Sequence, residues 1–570
     1  MMPRYNQQIT FTLSAVYCLL SLLLPDIAFS QVIKYNEEVT VVAPYEPVIP
    51  EAFKINQNPK TGDSDFQIPK LNYSIQPKPL EIKLNMDPIS PVKMVSEPLT
   101  KLYRNYLRVG MGTYTTPYAE FFANTIRSKD HSIGVHIKHL SSAGKLEGYA
   151  PSGSSSNEAD INGKKITDTH TLAGNIFYQR YVVHHYGFKT ADFDTLPDKK
   201  DLRQRFEIAG ARAQYSSNYL RNDKLNHDLQ LSYYHLNDHF DAKEDHFKFN
   251  VDIDKEFKFF DITDKQQAGL ETSIGYFKQQ DSGSRIESTL IGLKPFISTN
   301  FNEYSFYAGF NIQVSADTVT KMHIYPLAEV KLRIIPDALE AYVGICGYMN
   351  RQNYRDLSGE NPFIASKLKM DYSYEKFKFY GGITSNIGRN LDFSAGVSTS
   401  DWENLPFFVN DTTSLLANKF NIEYDDGTMV RLTADASFRT SDKVKLTVHG
   451  AYQSYSLKHE IKAWHKPALN AGFTGRYNIE EKIVVTGDIT WNGKSFARDL
   501  IPLSDRIHSQ PFKAKELKGY TDLSLGMEYR YTKLLSAFLN FNNIGNVRYF
   551  HWNNYPSQRF NFMGGITFAF

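Results

Sequence analysis

The chain predicts an all-β fold: an antiparallel transmembrane β-barrel of 22 strands, preceded by an extended, proline-rich N-terminal segment. Three observations predict it. The last eleven residues alternate apolar with small or polar side chains and put Phe560, Phe562, Ile566, Phe568 and Phe570 on one face of a strand. Runs of the same period recur from Tyr103 to the C-terminus with no helical insertion between them. Mean hydropathy is −0.42, and no segment after Ser30 is apolar enough for a spanning helix, so a membrane protein of this composition crosses with strands.

The first element, residues 1–30, reads as a secretory signal peptide. Arg4 is the only charge before an apolar run from Phe11 to Leu24, and Ala28-Phe29-Ser30 offers small residues for cleavage before Gln31. Pro25 and Asp26 end that run too early for a membrane anchor. Tyr17 before Cys18 does not suit lipid attachment. Once Cys18 leaves with the signal, Cys346 is alone, which excludes a disulfide framework.

Residues 31–102 form a second region. Ten of the 24 prolines fall between Pro44 and Pro98, a density that blocks both helix and central strand. Gln76-Pro77-Lys78-Pro79 and Asp87-Pro88-Ile89-Ser90-Pro91 read as extended chain, either a periplasmic linker or a segment that binds a partner or fills the lumen.

The barrel, 103–570, starts with strands near Leu107 and Tyr118 and ends with strands near Leu535 and Arg559. Phe247 to Asp254, Val430 to Arg439, Ile483 to Trp491 and Leu523 to Tyr531 show the alternation clearly. With both termini in the periplasm the strand number is even and long loops follow odd strands. Polar connections at about 142 to 169, 189 to 203, 350 to 374, 402 to 418 and 493 to 518 then lie outside the cell, and Ser441-Asp442 and Asn478 to Glu481 are periplasmic turns. The count of 22 splits Thr171 to Lys189 into two strands with a turn near Gln179-Arg180; if that stretch is one strand, one more change elsewhere must restore parity, and 20 also fits. Pro295 and Pro326 fall within strands and predict bulges or shifted boundaries there. The aromatic load, 36 Tyr and 39 Phe, suits the interfacial girdles of a barrel.

Net charge is +2, which implies no field for nucleic acid. Asp488, Asp522, Glu528, Arg530, Arg431, Asp435 and Arg439 fall on inward faces, so the lumen is wet and mixed in charge. No metalloprotease, nucleophile-elbow or phosphate-loop motif occurs, so neither an enzyme nor a cofactor is expected. Adjacent His184 and His185 point to opposite faces of a strand and do not make a metal site. Tyr424-Asp425-Asp426-Gly427 lacks the further oxygen ligands of a calcium loop and reads as a polar bend. Ser358-Gly359-Glu360-Asn361-Pro362 reads as an ordinary turn.

Phe541-Asn542-Asn543-Ile544-Gly545-Asn546-Val547-Arg548-Tyr549, then Asn553 to Arg559 and the terminal strand, resembles the C-terminal signature of TonB-dependent receptors, with Ser557-Gln558 where glycine is usual. Glu37-Glu38-Val39-Thr40-Val41-Val42-Ala43 resembles the TonB box, which such receptors offer to TonB by strand addition. The resemblance implies an outer-membrane transport or receptor role in a Gram-negative bacterium of Bacteroidetes type, in contact with outer-membrane lipid. It also implies that Phe562, Ile566, Phe568 and Phe570 are the signal read by the barrel assembly machinery. The family carries a globular plug of well over a hundred residues, yet only about 60 separate Ala43 from Tyr103. The proline-rich segment, inward-folded extracellular loops or another envelope protein must then cover the lumen. The rival reading is a non-transporting structural or assembly subunit, and a third is a rim-active hydrolase.

Overall fold

The computed structural model describes residues 69–70, 73–74 and 101–570, apart from 220–223, 259–264, 318, 389, 442 and 501–511. The signal peptide and the TonB-box-like residues Glu37 to Ala43 lie outside the described residues. The chain divides into two units, 1–96 and 97–570, and the second is the barrel.

Its wall begins with β1 (Asn105–Gly112), β2 (Thr116–Asn124), β3 (His131–Ser142), β4 (Ser154–Ile166), β5 (His170–His184) and β6 (Arg203–Ser217). It continues through β7 (Asn226–Asp238), β8 (Lys243–Phe257), β9 (Lys265–Gln280), β10 (Arg285–Phe301), β11 (Tyr304–Ala316) and β12 (Lys321–Ile335). Next come β13 (Leu339–Arg351), β14 (Tyr372–Ile387), β15 (Leu391–Asn410), β16 (Phe420–Thr440), β17 (Val444–Leu457), β18 (Leu469–Ile479) and β19 (Ile483–Asn492). Two small hairpins follow within long connections, β20 (Ser495–Leu500) with β21 (Phe512–Leu517), and β24 (Phe550–Trp552) with β25 (Tyr555–Pro556). Around them β22 (Tyr520–Arg530), β23 (Leu535–Asn542) and β26 (Asn561–Ala569) complete a sheet of 22 antiparallel strands.

Pairing of β1 with β26, from Tyr106↔Ala569 to Gly112↔Met563, closes the cylinder and leaves no edge. The closing seam is tight. A Cβ on Gly565 would lie 2.1 Å from Val109 O and 2.6 Å from the Phe538 ring, and Arg108 lies over that ring at 3.9 Å. Phe562, Ile566, Phe568 and Phe570 are exposed on the outer face.

The expected number of strands is observed, although two boundaries differ. His170–His184 is one strand without a turn at Gln179-Arg180, and Ser154–Ile166, expected to be loop, is a strand. The two differences cancel. β4 escaped detection because its outward positions, Ser155, Asn157, Ala159, Ile161, Gly163 and Lys165, include one large apolar residue. Residues 402–410, also read as loop, extend β15.

Neither proline produces a bulge or a boundary. Pro295 stays in register opposite Leu270 and Pro326 opposite Phe310. Each faces a break in the ladder on its other side: the β10–β11 register pauses between Leu293 and Phe296, and β12 pairs with β13 only from Ala328 onward. The missing N–H therefore costs no hydrogen bond. Register shifts occur elsewhere, at Arg333/Ile335, Cys346/Tyr348, Glu375/Phe377 and Trp402/Leu405.

Gly565→Val is expected to abolish the folded, heat-modifiable barrel band on unboiled gels, because the added side chain meets backbone that closure holds in place. A wild-type band shift would refute that reading of the seam.

Candidate functional site

Alternation makes the inner wall polar. Leu523, Leu525, Met527 and Tyr529 are exposed on the outside, so Asp522, Glu528 and Arg530 face inward. Asp522 accepts from Tyr549 OH at 2.7 Å, and Asp488 accepts from Thr474 Oγ1 at 2.8 Å. By the same alternation Arg431, Asp435 and Arg439 face inward beside outward Leu432 and Phe438.

At the long-loop end the interior is not wet throughout. Three of the four register shifts, on β13, β14 and β15, mark where strand ends leave the wall. Beyond the Cys346/Tyr348 shift, β13 is no longer laddered to β12. Side chains of β11 take over: Asn311 Nδ2 donates to Gly347 O at 2.9 Å, and the Gln313 amide both donates to Met349 O and accepts from Met349 N. Arg351 reaches as far as β10, where its Nε donates to Ser288 Oγ at 3.0 Å. The top of the β13–β14 hairpin thus lies across the inner face of β10 to β12 and carries residues 352–371 into the lumen.

That segment forms a helix at Tyr354–Glu360, started by Asn353 Oδ1 accepting from Asp356 N at 2.8 Å. Ser358 to Pro362 is therefore a helix end followed by buried chain, not an ordinary surface turn. The apolar face of the segment, Tyr354, Leu357, Ile364, Leu368 and Met370, joins Phe206, Ile208 and Leu236 from β6 and β7 to Phe408, Phe420 and Ile422 from β15 and β16. These two sets of strands lie on opposite sides of the cylinder. Trp552 and Tyr555, from the connection that contains the receptor-like signature, complete the cluster, with Tyr555 stacked on Phe363 at 3.7 Å.

Two wall carboxylates hold the segment. Glu244 on β8 accepts from Tyr354 N at 2.6 Å, Arg355 N at 3.2 Å and Tyr234 OH at 2.8 Å. Asp238 at the end of β7 accepts from Tyr354 OH at 2.8 Å, Gln204 Nε2 at 2.9 Å and Ser366 Oγ. Burial, reinforced by Asp238, pushes the Tyr354 phenol well above its ordinary range, so it stays a donor. On the far wall Ala365 N donates to Phe420 O at 2.8 Å and Phe420 N to Phe363 O at 3.0 Å, a short strand-like join that satisfies backbone inside the barrel.

The Asp425-Asp426 pair is not at a bend but within β16, paired to β15. Asp425 accepts from the backbone N–H groups of His459 and Glu460 and from His459 Nδ1, pinning the 458–468 connection. In that connection Trp464 is fully buried against Phe407 and Val409. His465 is buried too: Asn553 N donates to its Nε2, so Nδ1–H donates to Phe408 O at 3.0 Å. His184 and His185 do not converge. His184 Nδ1 bonds Gly153 O, while the His185 ring is enclosed among the loops beside the backbone of Leu202 and Ile364. Among the described residues, no group of His, Cys, Asp and Glu is placed to hold a metal ion.

No family model and no curated protein matches the chain. Solved structures do match. The pyoverdine outer-membrane receptor FpvA of Pseudomonas aeruginosa aligns over 83% of this chain and 79% of its own, at 12% identity and TM-score 0.62. The ferric-catecholate import receptor Fiu of Escherichia coli K12 aligns over 82% of each chain at 10% identity and TM-score 0.59. The siderophore receptor PirA of Acinetobacter baumannii covers 83% of this chain and 81% of its own at 11% identity and TM-score 0.60.

This chain carries the barrel fold of TonB-dependent outer-membrane receptors. The likeness is one of fold, and it agrees with a Gram-negative outer-membrane location.

Two outcomes follow from the inward segment. Tyr354→Phe is expected to cost about 1–3 kcal/mol of local stability by leaving Asp238 short of a donor, read as faster amide exchange over 353–370 with the wall unchanged. Burial also holds the imidazoles of His185 and His465 down to about 3, against about 6.5 for the unfolded chain. Their neutral forms contribute in full above the unfolded value, and that stability is lost as pH falls toward the folded one. Protection factors in the loop assembly, which correct exchange for its own base catalysis, should therefore be lower at pH 5 than at pH 7.5, and less pH-dependent in H185Q/H465Q.

Proposed function

We propose that this chain is an outer-membrane transport or receptor barrel whose long-loop end is closed by its own loops in place of a separate globular plug. The observation that carries the proposal is the apolar cluster joining β6–β7 to β15–β16 through residues 352–371. Barrels of 22 strands enclose a channel wide enough to need a filling. About 60 proline-rich residues between Ala43 and Tyr103 leave no room for the usual plug, so inward loops are the filling this chain supplies for itself. The barrel likeness to import receptors supports passage or capture of a solute rather than catalysis.

In this reading residues 1–30 direct export and 31–102 work on the periplasmic side. Glu37 to Ala43 offer a strand to TonB, and the outward Phe562, Ile566, Phe568 and Phe570 are presented to the barrel assembly machinery. The carboxylates Asp238 and Glu244 act as the catch for the closing segment, and solute passage requires them to let go.

The test is conductance in planar bilayers. Wild-type protein is expected to be silent, and replacing 355–369 by a short Gly-Ser linker should give large, steady openings. Equal conductance of the two proteins would overturn closure by this segment. Deleting Glu37 to Ala43 should abolish co-purification with TonB and leave folding intact; unchanged recovery of TonB would remove the TonB-box assignment.

A further inference from the structure

Beneath the closing segment a cavity of about 200 Å3 is bounded by Phe177, Arg212, Ser232, His246 and Arg355 among others. It adjoins a larger one of about 1000 Å3, which shares Arg355 and carries the hydroxyls of Ser142, Ser154, Ser156 and Ser358 with the amide of Gln179. The two arginines come from different elements, Arg212 from the inner face of β6 and Arg355 from the inward helix. Both guanidinium groups lie over one ring: Arg212 Cζ is 4.9 Å and Arg355 Cζ 5.3 Å from the centre of Phe177, and Arg355 also lies 4.7 Å over Tyr234.

Phe177 can take this position because its cross-strand partner is Gly210, where a Cβ would stand 2.5 Å from the ring. Aromatic faces hold arginines in place without consuming their N–H donors.

Neither arginine makes an ion pair with a described carboxylate. Arg355 has one long hydrogen bond, Nη2 to Gln179 Oε1 at 3.5 Å. The acids around it are otherwise engaged: Asp356, which also borders the cavity, accepts from Asn353 Nδ2 at 2.7 Å, and Glu244 is committed to Tyr234 and to the helix backbone. His246 adds a buried Nε2 without a partner, its ring stacked on Phe277 at 4.0 Å. Other cations of the inner wall do pair, as Lys138 with Glu158 at 3.3 Å.

We infer that Arg212 and Arg355, posed over Phe177, form a recognition point for an anionic group, carboxylate or phosphate, on a solute whose uncharged polar body rests in the hydroxyl-lined cavity. The inference rests on the transport reading above and names the class of solute. Arginine forks suit both kinds of oxyanion, and rings that hold the two guanidinium groups in place lower the ordering cost of the pairing. Because Arg355 rides on the closing segment, a bound anion would bridge that segment to the wall strand that bears Arg212. Capture of solute and stability of the closed state are then coupled.

Calorimetry on the full-length protein in detergent, with digalacturonate, its dimethyl ester and inorganic phosphate as probes, tests the assignment. At least one anion should bind about tenfold or more tightly than the uncharged ester, with affinity falling as salt rises. Preference for digalacturonate would identify a carboxylate ligand and preference for phosphate a phosphorylated one. R212Q/R355Q, checked for the heat-modifiable barrel band, should lose the preference and keep any binding of the ester. Gly210→Ala should weaken it by displacing Phe177 without touching either arginine. Equal binding of ester and anions, no anion binding, or an undiminished preference in R212Q/R355Q would overturn the inference. If the 355–369 replacement conducts while the anions do not bind, this inference alone fails; if that replacement is silent while the preference holds, the closure reading alone fails.

Discussion

A sheet of 22 strands closes on itself only as a cylinder wider than its own inward side chains can fill. That constraint governs the rest of the structure. Closure through β1 and β26 leaves the wall without an edge and lets lipid cover the outer face, but it creates an interior that water or polypeptide must occupy. Polypeptide brought into that space arrives with unpaired N–H and C=O groups, and each must find a partner there.

The solution is to turn strand ends inward. Register shifts at neighbouring positions of β13, β14 and β15 bend the tops of two hairpins away from the wall. What they leave is repaired by side chains that imitate a backbone and by backbone from the opposite wall. The Gln313 amide pairs with Met349 as a strand would, Glu244 takes the first free N–H groups of the inward helix, and Phe420 pairs with Phe363 and Ala365. Apolar burial then holds the closed end together, and two carboxylates fix where the segment sits. The Arg355 side chain sits on the inward segment and borders both cavities.

Much of the barrel was legible in its sequence because lipid imposes a period of 2. Strands with full outward faces, such as Leu523 to Tyr529, announced themselves. β4 did not, because much of its outward face is Ser, Asn, Gly and Lys. The prolines misled for a related reason: a proline signals a lost hydrogen bond, but Pro295 and Pro326 sit where a neighbouring ladder is already interrupted, and that is a property of the partner strand. The segment 352–371 looked like loop by composition. Its Tyr354, Leu357, Ile364, Leu368 and Met370 carry no periodic signal that tells burial inside a barrel from exposure on a long loop. Asp425 and Asp426 were seen as a pair, and their role in pinning 458–468 depends on backbone N–H groups over 30 residues away.

The sequence by itself determined the β class, the outward faces and the even strand number, because each follows from local hydrophobic patterning against a membrane. Only the tertiary structure decided that three strands kink inward, that loops from opposite walls meet in one apolar cluster, and that Arg212 and Arg355 converge over Phe177. Those outcomes come from cross-strand register and from contacts between residues far apart in the chain. No local pattern encodes which residues a closed cylinder will bring face to face.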